Sequence, residues 1–352
     1  MTNYIKKDIR TLSVEDLKVF FELNNIETYR ANQIYEWLWV KGVSDFNLMT
    51  NLSIDFRKFL QKYFTINNIK VESIQKSIDG TIKNAVKLYD NKIVESVLIP
   101  TKNRITACIS SQVGCSLNCK FCATSKLKRL RNLNVDEIFD QVKFIDNQSK
   151  SFYNRPITNI VYMGMGEPLM NYENVIKSIE KITSKSGLGF SPRRITVSSV
   201  GFPKFIKKMA DQKIKFNLAI SLHSAIQSVR EFLMPFSNKI LIEDLIDSLR
   251  YWINIKKSII TFEYIVFDGI NDSETDIIEL IKICKKIPSK VNLIQYNSIN
   301  DDNFRNASMK SINRYSKLLS ENNIINTIRK SRGDDIDAAC GQLANNTLNL
   351  KN

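Results

Sequence analysis

From residue 104 onward the chain alternates short apolar runs with amphipathic stretches, and this alternation restricts the fold more than any other feature. Runs at 105–110, 160–163, 195–200, 216–222, 259–267, 291–296 and 325–328 read as strands. Helical patterns separate most of them, as at 172–182, 242–253, 274–284 and 309–319. A strand, a helix and a second strand in succession imply a crossover, so the expected class is α/β with a parallel sheet. Periodicity alone leaves both a β/α barrel and an open doubly wound sheet available.

The first hundred residues read differently. Within 12–64, Ser13 and Asp16 resemble a capping box ahead of an apolar stripe formed by Leu17, Phe20 and Phe21. Further amphipathic stretches cover 28–40, closed by Gly42, and 54–64. Phe20, Phe21, Trp37 and Phe64 are expected in the core of this module, because helical spacing favours burial. Residues 85–89 and 92–98 flank Asp90-Asn91 and read as a β-hairpin. The expected organisation is a helical accessory domain at 1–67, a hairpin extension at 68–103, a core at 104–345 and a tail at 346–352.

Charge and composition narrow the function classes. The chain carries 51 Lys and Arg against 36 Asp and Glu, a net charge of +15. Residues 1–80 hold 11 basic and 10 acidic groups, whereas the other 272 hold 40 and 26, so the excess sits on the core. Such an excess fits a polyanionic partner, most simply nucleic acid, or else a solvated basic surface. No apolar run is long enough to span a membrane, and the polar start Met1-Thr2-Asn3-Tyr4 does not read as a secretory signal, so a cytoplasmic protein is expected. The six cysteines are then candidates for metal or redox chemistry rather than for a disulfide framework. A single histidine, His223, disfavours chemistry that needs a His pair.

Three of the cysteines stand in Gly114-Cys115-Ser116-Leu117-Asn118-Cys119-Lys120-Phe121-Cys122, a C-x3-C-x2-C loop directly after the first core strand. Thiolates converging from one loop suit a soft metal centre, and iron–sulfur clusters are held this way. Structural zinc normally takes four ligands, and no nearby His or fourth Cys completes a set. Three protein ligands on a four-iron cluster leave one iron open. The spacing resembles that of the radical S-adenosylmethionine (SAM) superfamily. That resemblance implies a [4Fe-4S] cluster on Cys115, Cys119 and Cys122, and SAM bound at the open iron.

Further segments resemble one branch of that superfamily, the RlmN/Cfr methyltransferases that methylate adenine in RNA. They include Ser110-Ser111-Gln112-Val113-Gly114-Cys115, Met163-Gly164-Met165-Gly166-Glu167-Pro168, Ser191-Pro192-Arg193-Arg194, Ile220-Ser221-Leu222-His223, Val291-Asn292-Leu293-Ile294, and the run from Arg332-Gly333-Asp334-Asp335 to Ala339-Cys340-Gly341-Gln342. Gly166-Glu167-Pro168 and the Arg-Gly-Asp-Asp run look more like the RlmN branch. The resemblance implies a partial (β/α) barrel that makes C2-methyladenosine in 23S ribosomal RNA and in tRNAs. It also implies two SAM molecules per turnover, an external one-electron donor such as flavodoxin or ferredoxin, and a monomer.

Residue roles carry over in the same way. Cys340 matches the cysteine that takes the methyl group as S-methylcysteine, and Cys108 the thiol that resolves a protein–RNA crosslink through a transient disulfide. Gly166, Glu167, Ser198, Ser221, Leu222, His223 and Asn297 match SAM contacts. Glu95 matches a proton acceptor, with an exposed strand carboxylate as the alternative. Read without the resemblance, Cys108 and Cys340 are two free thiols 232 positions apart, and Cys284 lies in an apolar helical pattern. The basic residues Lys120, Lys126, Lys128, Arg129 and Arg131, with Arg193 and Arg194, are candidate phosphate contacts around a base turned out of its stack. Two rivals remain at this point: an adenine C8 methyltransferase, and a non-catalytic RNA-binding protein with structural zinc.

Overall fold

The computed structural model describes residues 6–213, 215–299 and 303–344. The tail expected at 346–352 lies outside the described residues.

The N-terminal module holds three helices, α1 (Val14–Leu23), α2 (Arg30–Tyr35) and α3 (Ile54–Tyr63). Ser13 and Asp16 do form a reciprocal capping box at the start of α1. Past Tyr35 the chain winds as a π-helix, Glu36–Lys41, and stops at Gly42, whose φ is +60°. The wider winding changes which aromatic faces inward. Trp39 is buried and packs its ring 5.1 Å from Phe139, while Trp37 lies half-buried and donates to Asn51 Oδ1 at 2.6 Å. Trp37, like Phe20, thus packs against the core without being fully enclosed by it.

Ten strands form one continuous sheet. Strands β1 (Lys70–Lys76), β2 (Ile82–Lys87), β3 (Ile93–Pro100) and β4 (Ile105–Cys108) pair antiparallel in turn. From β4 the neighbours are parallel: β5 (Asn159–Tyr162), β6 (Ile195–Ser199), β7 (Asn217–Ser221), β8 (Ile260–Ile265), β9 (Ser289–Ile294) and β10 (Ile325–Arg329). The stretch at 68–103 is thus hydrogen-bonded into the core sheet and extends it with three antiparallel strands. Crossovers are α4 (Val135–Tyr153), α5 (Tyr172–Thr183), α6 (Pro203–Ala210), α7 (Gln227–Leu233) with α8 (Ile242–Lys256), α9 (Glu274–Lys286) and α10 (Met309–Glu321).

The spatial order of the strands is their sequence order, ending at β1 and β10. Right-handed crossovers that always advance the same way place every helix on one face, and a twisted sheet covered on one face curls. A doubly wound sheet would need the order to reverse. The fold is therefore an open, partial (β/α) barrel. Ile195 and Val197, Leu218 and Ile220, Phe262 and Tyr264, Val291 and Leu293 are buried at alternate positions against the helices. The intervening positions face the concave side, where Ser221, Glu263, Asn292 and Thr327 stand in register across four strands.

Several contacts fix the N-terminal module to this core, among them the Lys143 ammonium donating to the Gly42 carbonyl at 2.7 Å and the Lys181 ammonium over the Tyr35 ring. Besides the Trp39–Phe139 pair, the buried Arg10 guanidinium bonds both Asp140 oxygens at 2.9 Å and Asp136 at 3.1 Å, on α4.

Candidate active site at the carboxyl ends of the strands

The loop that follows β4 is closed at its base before it spreads. Gln112–Val113 pairs antiparallel with Arg131–Asn132. Arg131 locks that base: its guanidinium reaches Asp90 at 2.8 and 2.9 Å and Glu137 at 2.7 and 2.8 Å. Two carboxylates occupy its fork, so Arg131 is a structural clamp and not a phosphate contact. Gly114 has φ +74°, and a Cβ there would overlap the Lys128 carbonyl. The close approach turns Cys115 inward.

Within the loop the Cys122 N–H donates to the Cys119 carbonyl at 3.2 Å, and the Ser125 hydroxyl to the Cys122 carbonyl at 2.7 Å. The three thiols lie near enough to affect one another. Burial pushes Cys115 up to about 11, and negative charge on Cys122 and Glu167 acts in the same direction. Burial, with charge on Cys122 and Cys115, raises Cys119 well above its ordinary range. Among the described residues no group of three Cys, His, Asp or Glu side chains could hold a single metal ion. Three cysteines on one loop are the kind of donor set that holds an iron–sulfur cluster, and near Cys119 lies Arg230, a fully buried guanidinium with Nε and Nη1 unpartnered.

The ends of the neighbouring strands bring the other expected residues to this loop. After β5, Gly166 has φ +95°, and a Cβ there would overlap the Gln112 side chain. The buried Glu167 accepts from the Leu169 N–H and the Val200 N–H, each at 3.0 Å, and so ties the end of β5 to that of β6. Burial pushes its carboxyl up to about 7, against the pull of hydrogen bonds from Ser199, Leu169 and Val200. Ser198 on β6 and Ser221 on β7 are half-buried, and Leu222 is buried behind them. His223, buried at φ +55°, accepts from the Ile265 N–H through Nδ1 at 3.2 Å. Burial pushes it down to about 3, with Arg230 acting in the same direction. The imidazole is neutral and carries its proton on Nε2.

Cys340 is delivered by a C-terminal loop held from several sides. The Ala123 N–H donates to the Gly341 carbonyl at 2.7 Å, and the Thr124 hydroxyl to the Leu343 carbonyl at 2.6 Å, joining this loop to the cysteine triplet. Asn297 donates to the Cys340 carbonyl at 3.0 Å, and Gln342 bridges Ser298 and Asp334. Asp335 accepts from the Ser77 hydroxyl at 2.6 Å and the Ile78 N–H at 3.1 Å, in the β1–β2 turn. Glu95, fully buried on β3, lies 3.5 Å from the Lys83 ammonium and accepts from the Ala344 N–H at 2.9 Å. The exposed carboxylate considered from the sequence is excluded by this burial.

Cys340 itself reaches solvent while protein surrounds it, as befits a group in a concave mouth. Its surroundings, with charge on Glu263 and Cys122, push it up to about 12. Cys108, on β4, is pushed up to about 12 by burial and then by charge on Cys340, which places the Cys340 thiol within electrostatic reach of it. Cys284 is buried on α9 among apolar residues. Lys120, Lys126, Lys128 and Arg129 are exposed around the cysteine loop. Arg193 and Arg194 precede β6 and lie at its amino end, opposite the site, so they do not surround a base reacting there. Lys83, Arg230 and Glu263 belong to the site but carry no local sequence signal.

Comparisons agree with this geometry. The radical SAM superfamily model matches residues 109–281, and the model of the ribosomal RNA large subunit methyltransferase N-terminal domain matches 7–66. The chain is 57% identical to the probable dual-specificity RNA methyltransferase RlmN of Flavobacterium psychrophilum, covering 97% of this chain and 99% of that one. It is 39% identical to the dual-specificity RNA methyltransferase RlmN of Geotalea uraniireducens, with 96% of each chain covered. A crystal structure of a radical SAM methyltransferase from Sphaerobacter thermophilus superposes with a TM-score of 0.89 at 34% identity, covering 96% and 99% of the two chains. Sequence, fold and the gathered cysteines thus converge, and the chain belongs to the RlmN family of radical SAM methyltransferases.

Proposed function

We propose that this enzyme methylates carbon 2 of adenine in RNA, in 23S ribosomal RNA and in tRNAs, consuming two SAM molecules per turnover. The observation that carries the reading is the docking of the Cys340 loop on the loop of Cys115, Cys119 and Cys122, through Gly341 to Ala123 and Leu343 to Thr124, with Cys108 within electrostatic reach of Cys340. Carbon 2 lies between two ring nitrogens and is electron-poor, so it cannot displace a methyl group from a sulfonium as an amine does. Cysteine 340 serves as the methyl acceptor in its place. Its thiol must lose a proton to attack, and the positive sulfonium of SAM favours the thiolate by charge.

Cys115, Cys119 and Cys122 would hold a [4Fe-4S] cluster, which when bound would supply the electron that cleaves a second SAM to a 5′-deoxyadenosyl radical. Gly166 lets the backbone approach the SAM methionine, and Glu167 accepts from its ammonium. Ser198, Ser221, Leu222, His223 and Asn297 line the remainder of the SAM site. The S-methyl group of Cys340, having lost a hydrogen atom to that radical, bonds through its methylene to carbon 2. The adduct radical must then give up one electron, to the oxidised cluster as acceptor, together with the carbon 2 proton, which leaves protein linked to RNA. Cys108, as a thiolate, then attacks the Cys340 sulfur and breaks its bond to the methylene, whose carbon takes up a proton to become the methyl group, and a disulfide remains. Glu95 anchors the Cys340 loop through Ala344, and it accepts the carbon 2 proton once that contact opens. The exposed bases Lys120, Lys128 and Arg129 contact phosphates near a flipped-out adenosine. A flavodoxin or ferredoxin in the cytoplasm is the electron donor, and the enzyme acts as a monomer.

Nucleoside mass spectrometry of RNA from cells with and without the gene tests the reading. Loss of C2-methyladenosine supports it, whereas loss of the C8 isomer overturns the regiochemistry. Cys340→Ala abolishes methylation and leaves no S-methylcysteine, and Cys108→Ala accumulates the crosslink. A fully active Cys340→Ala enzyme would refute the two-cysteine route.

A further inference from the structure

Arg230, on α7, is a fully buried cation, and its Nη2 donates to the Val200 carbonyl at 2.6 Å. Nε and Nη1 have no hydrogen-bond partner, and among the described residues no carboxylate makes an ion pair with this guanidinium. A buried charge left this way is among the most costly features a fold can hold, and such charges are ordinarily paired. Two groups that can carry negative charge act on it: Cys119 first, and more weakly Glu231, whose carboxylate already accepts from the Gln227 amide at 2.7 Å. A negative charge on Cys119 favours the guanidinium, and the guanidinium favours the thiolate. The loop backbone brings the two elements together, since the Lys120 N–H donates to the Leu233 carbonyl at 3.0 Å.

We propose that Arg230 is the fixed counter-charge of the Cys115, Cys119 and Cys122 centre: it offsets the negative charge of the thiolate-bound cluster and raises its one-electron reduction potential. This rests on the cluster reading of the triplet. Reduction adds one electron to the centre and neither makes nor breaks a bond at Arg230. A positive charge held in a dry site stabilises the more negative, reduced state over the oxidised one. Arg230 therefore acts through Cys119, as a tuning and positioning residue. In the cluster-free protein no ion pair among the described residues offsets this charge. Loading the centre relieves that mismatch, so cluster retention and the guanidinium charge are coupled.

The test compares wild type with Arg230→Met and Arg230→Lys after anaerobic reconstitution with iron and sulfide. Iron per chain, the potential from dithionite titration followed by electron paramagnetic resonance without SAM, and thermal unfolding of the cluster-free forms are measured. In the expected result Arg230→Met lowers the potential and speeds iron loss to a chelator at least tenfold. Its cluster-free form unfolds no earlier than wild type, since methionine fills the space without a charge. Arg230→Lys restores most of the potential. An unchanged potential in Arg230→Met overturns the proposal, as does an equal loss of stability with and without the cluster, which would make Arg230 a purely structural link to Val200. A change confined to SAM affinity likewise overturns it and assigns Arg230 to the SAM carboxylate. A wild-type protein that takes up no iron defeats the cluster reading itself, a result distinct from the variant outcomes.

Discussion

Replacing Lys83 with methionine isolates the device that holds the Cys340 loop. The Lys83 and Glu95 side chains are 3% and 0% exposed, and their charges stand 3.5 Å apart. Removing one partner of such a pair leaves a buried charge with no opposite charge, which costs about 3–5 kcal/mol. The ammonium also donates to the Asp337 carbonyl at 3.3 Å, a contact worth about 1 kcal/mol net. Lys83→Met should therefore lower the unfolding free energy by about 4 kcal/mol, a large share of the roughly 5–15 kcal/mol typical of a folded protein. Urea unfolding of the cluster-free enzyme, followed by circular dichroism, measures this. In the double variant Lys83→Met/Glu95→Gln the buried charge is gone, while the glutamine oxygen still accepts from the Ala344 N–H. It should recover more than half of the loss, and the difference is the coupling energy. Iodoacetamide should alkylate Cys340 faster in the single variant than in the double, because the loop is freed only where the anchor is strained. A single-variant loss below about 1 kcal/mol, or a double variant no better than the single, would refute this account of the anchor.

Other outcomes follow from neighbouring contacts. Gly166→Ala forces a Cβ into Gln112 at a φ of +95°, with backbone strain of about 1–3 kcal/mol before any clash; SAM affinity, read by calorimetry, should fall at least tenfold while iron content is retained. Arg131→Met leaves Asp90 and Glu137 without their shared partner and should cost roughly 2–3 kcal/mol, with iron lost from the reconstituted enzyme more quickly. Asp335→Ala removes the contacts to Ser77 and Ile78 and should slow methylation through Cys340 without lowering the amount of cluster bound. His223, pushed down to about 3 from its ordinary 6.5, is protonated more readily in the unfolded chain; its contribution is present above about pH 6.5 and is lost as pH falls toward 3. His223→Asn should therefore flatten the acid side of the stability profile between about pH 7 and 5, and an unchanged slope would count against a buried neutral imidazole.

Much of the site is legible in the sequence because it is written locally. C-x3-C-x2-C places three thiols on one loop whatever surrounds it, and alternating apolar residues in the core strands mark the face turned to the helices. The glycines 114 and 166 likewise mark backbone that a side chain would obstruct. Glu95 was ambiguous because a strand residue's neighbours show which face it takes, but not whether that face is dry. Lys83 and Ala344, 12 positions before it and 249 after it, are what bury and bond it. Arg131 reads as one more base in a cationic run, and only folding brings Asp90 and Glu137 to its fork. Arg193 and Arg194 look like companions of that run until the direction of β6 puts them at the far end of the strand.

The division has a physical origin. By itself the sequence determined the class of fold, the family and the C-x3-C-x2-C spacing, and it singled out the cysteines proposed to hold the cluster and to carry the methyl group. Each of these depends on spacing within a few residues or on a contiguous motif. The tertiary structure alone decided that the strands follow one another without reversal, which makes the sheet a partial barrel rather than a doubly wound one. It also decided that Cys108 stands within electrostatic reach of Cys340, that Asp335 docks on the turn at Ser77, and that Arg230 is buried with no ion pair among the described residues. Those pairings join segments far apart along the chain, and their geometry and burial come from packing and sheet register, which local periodicity does not encode.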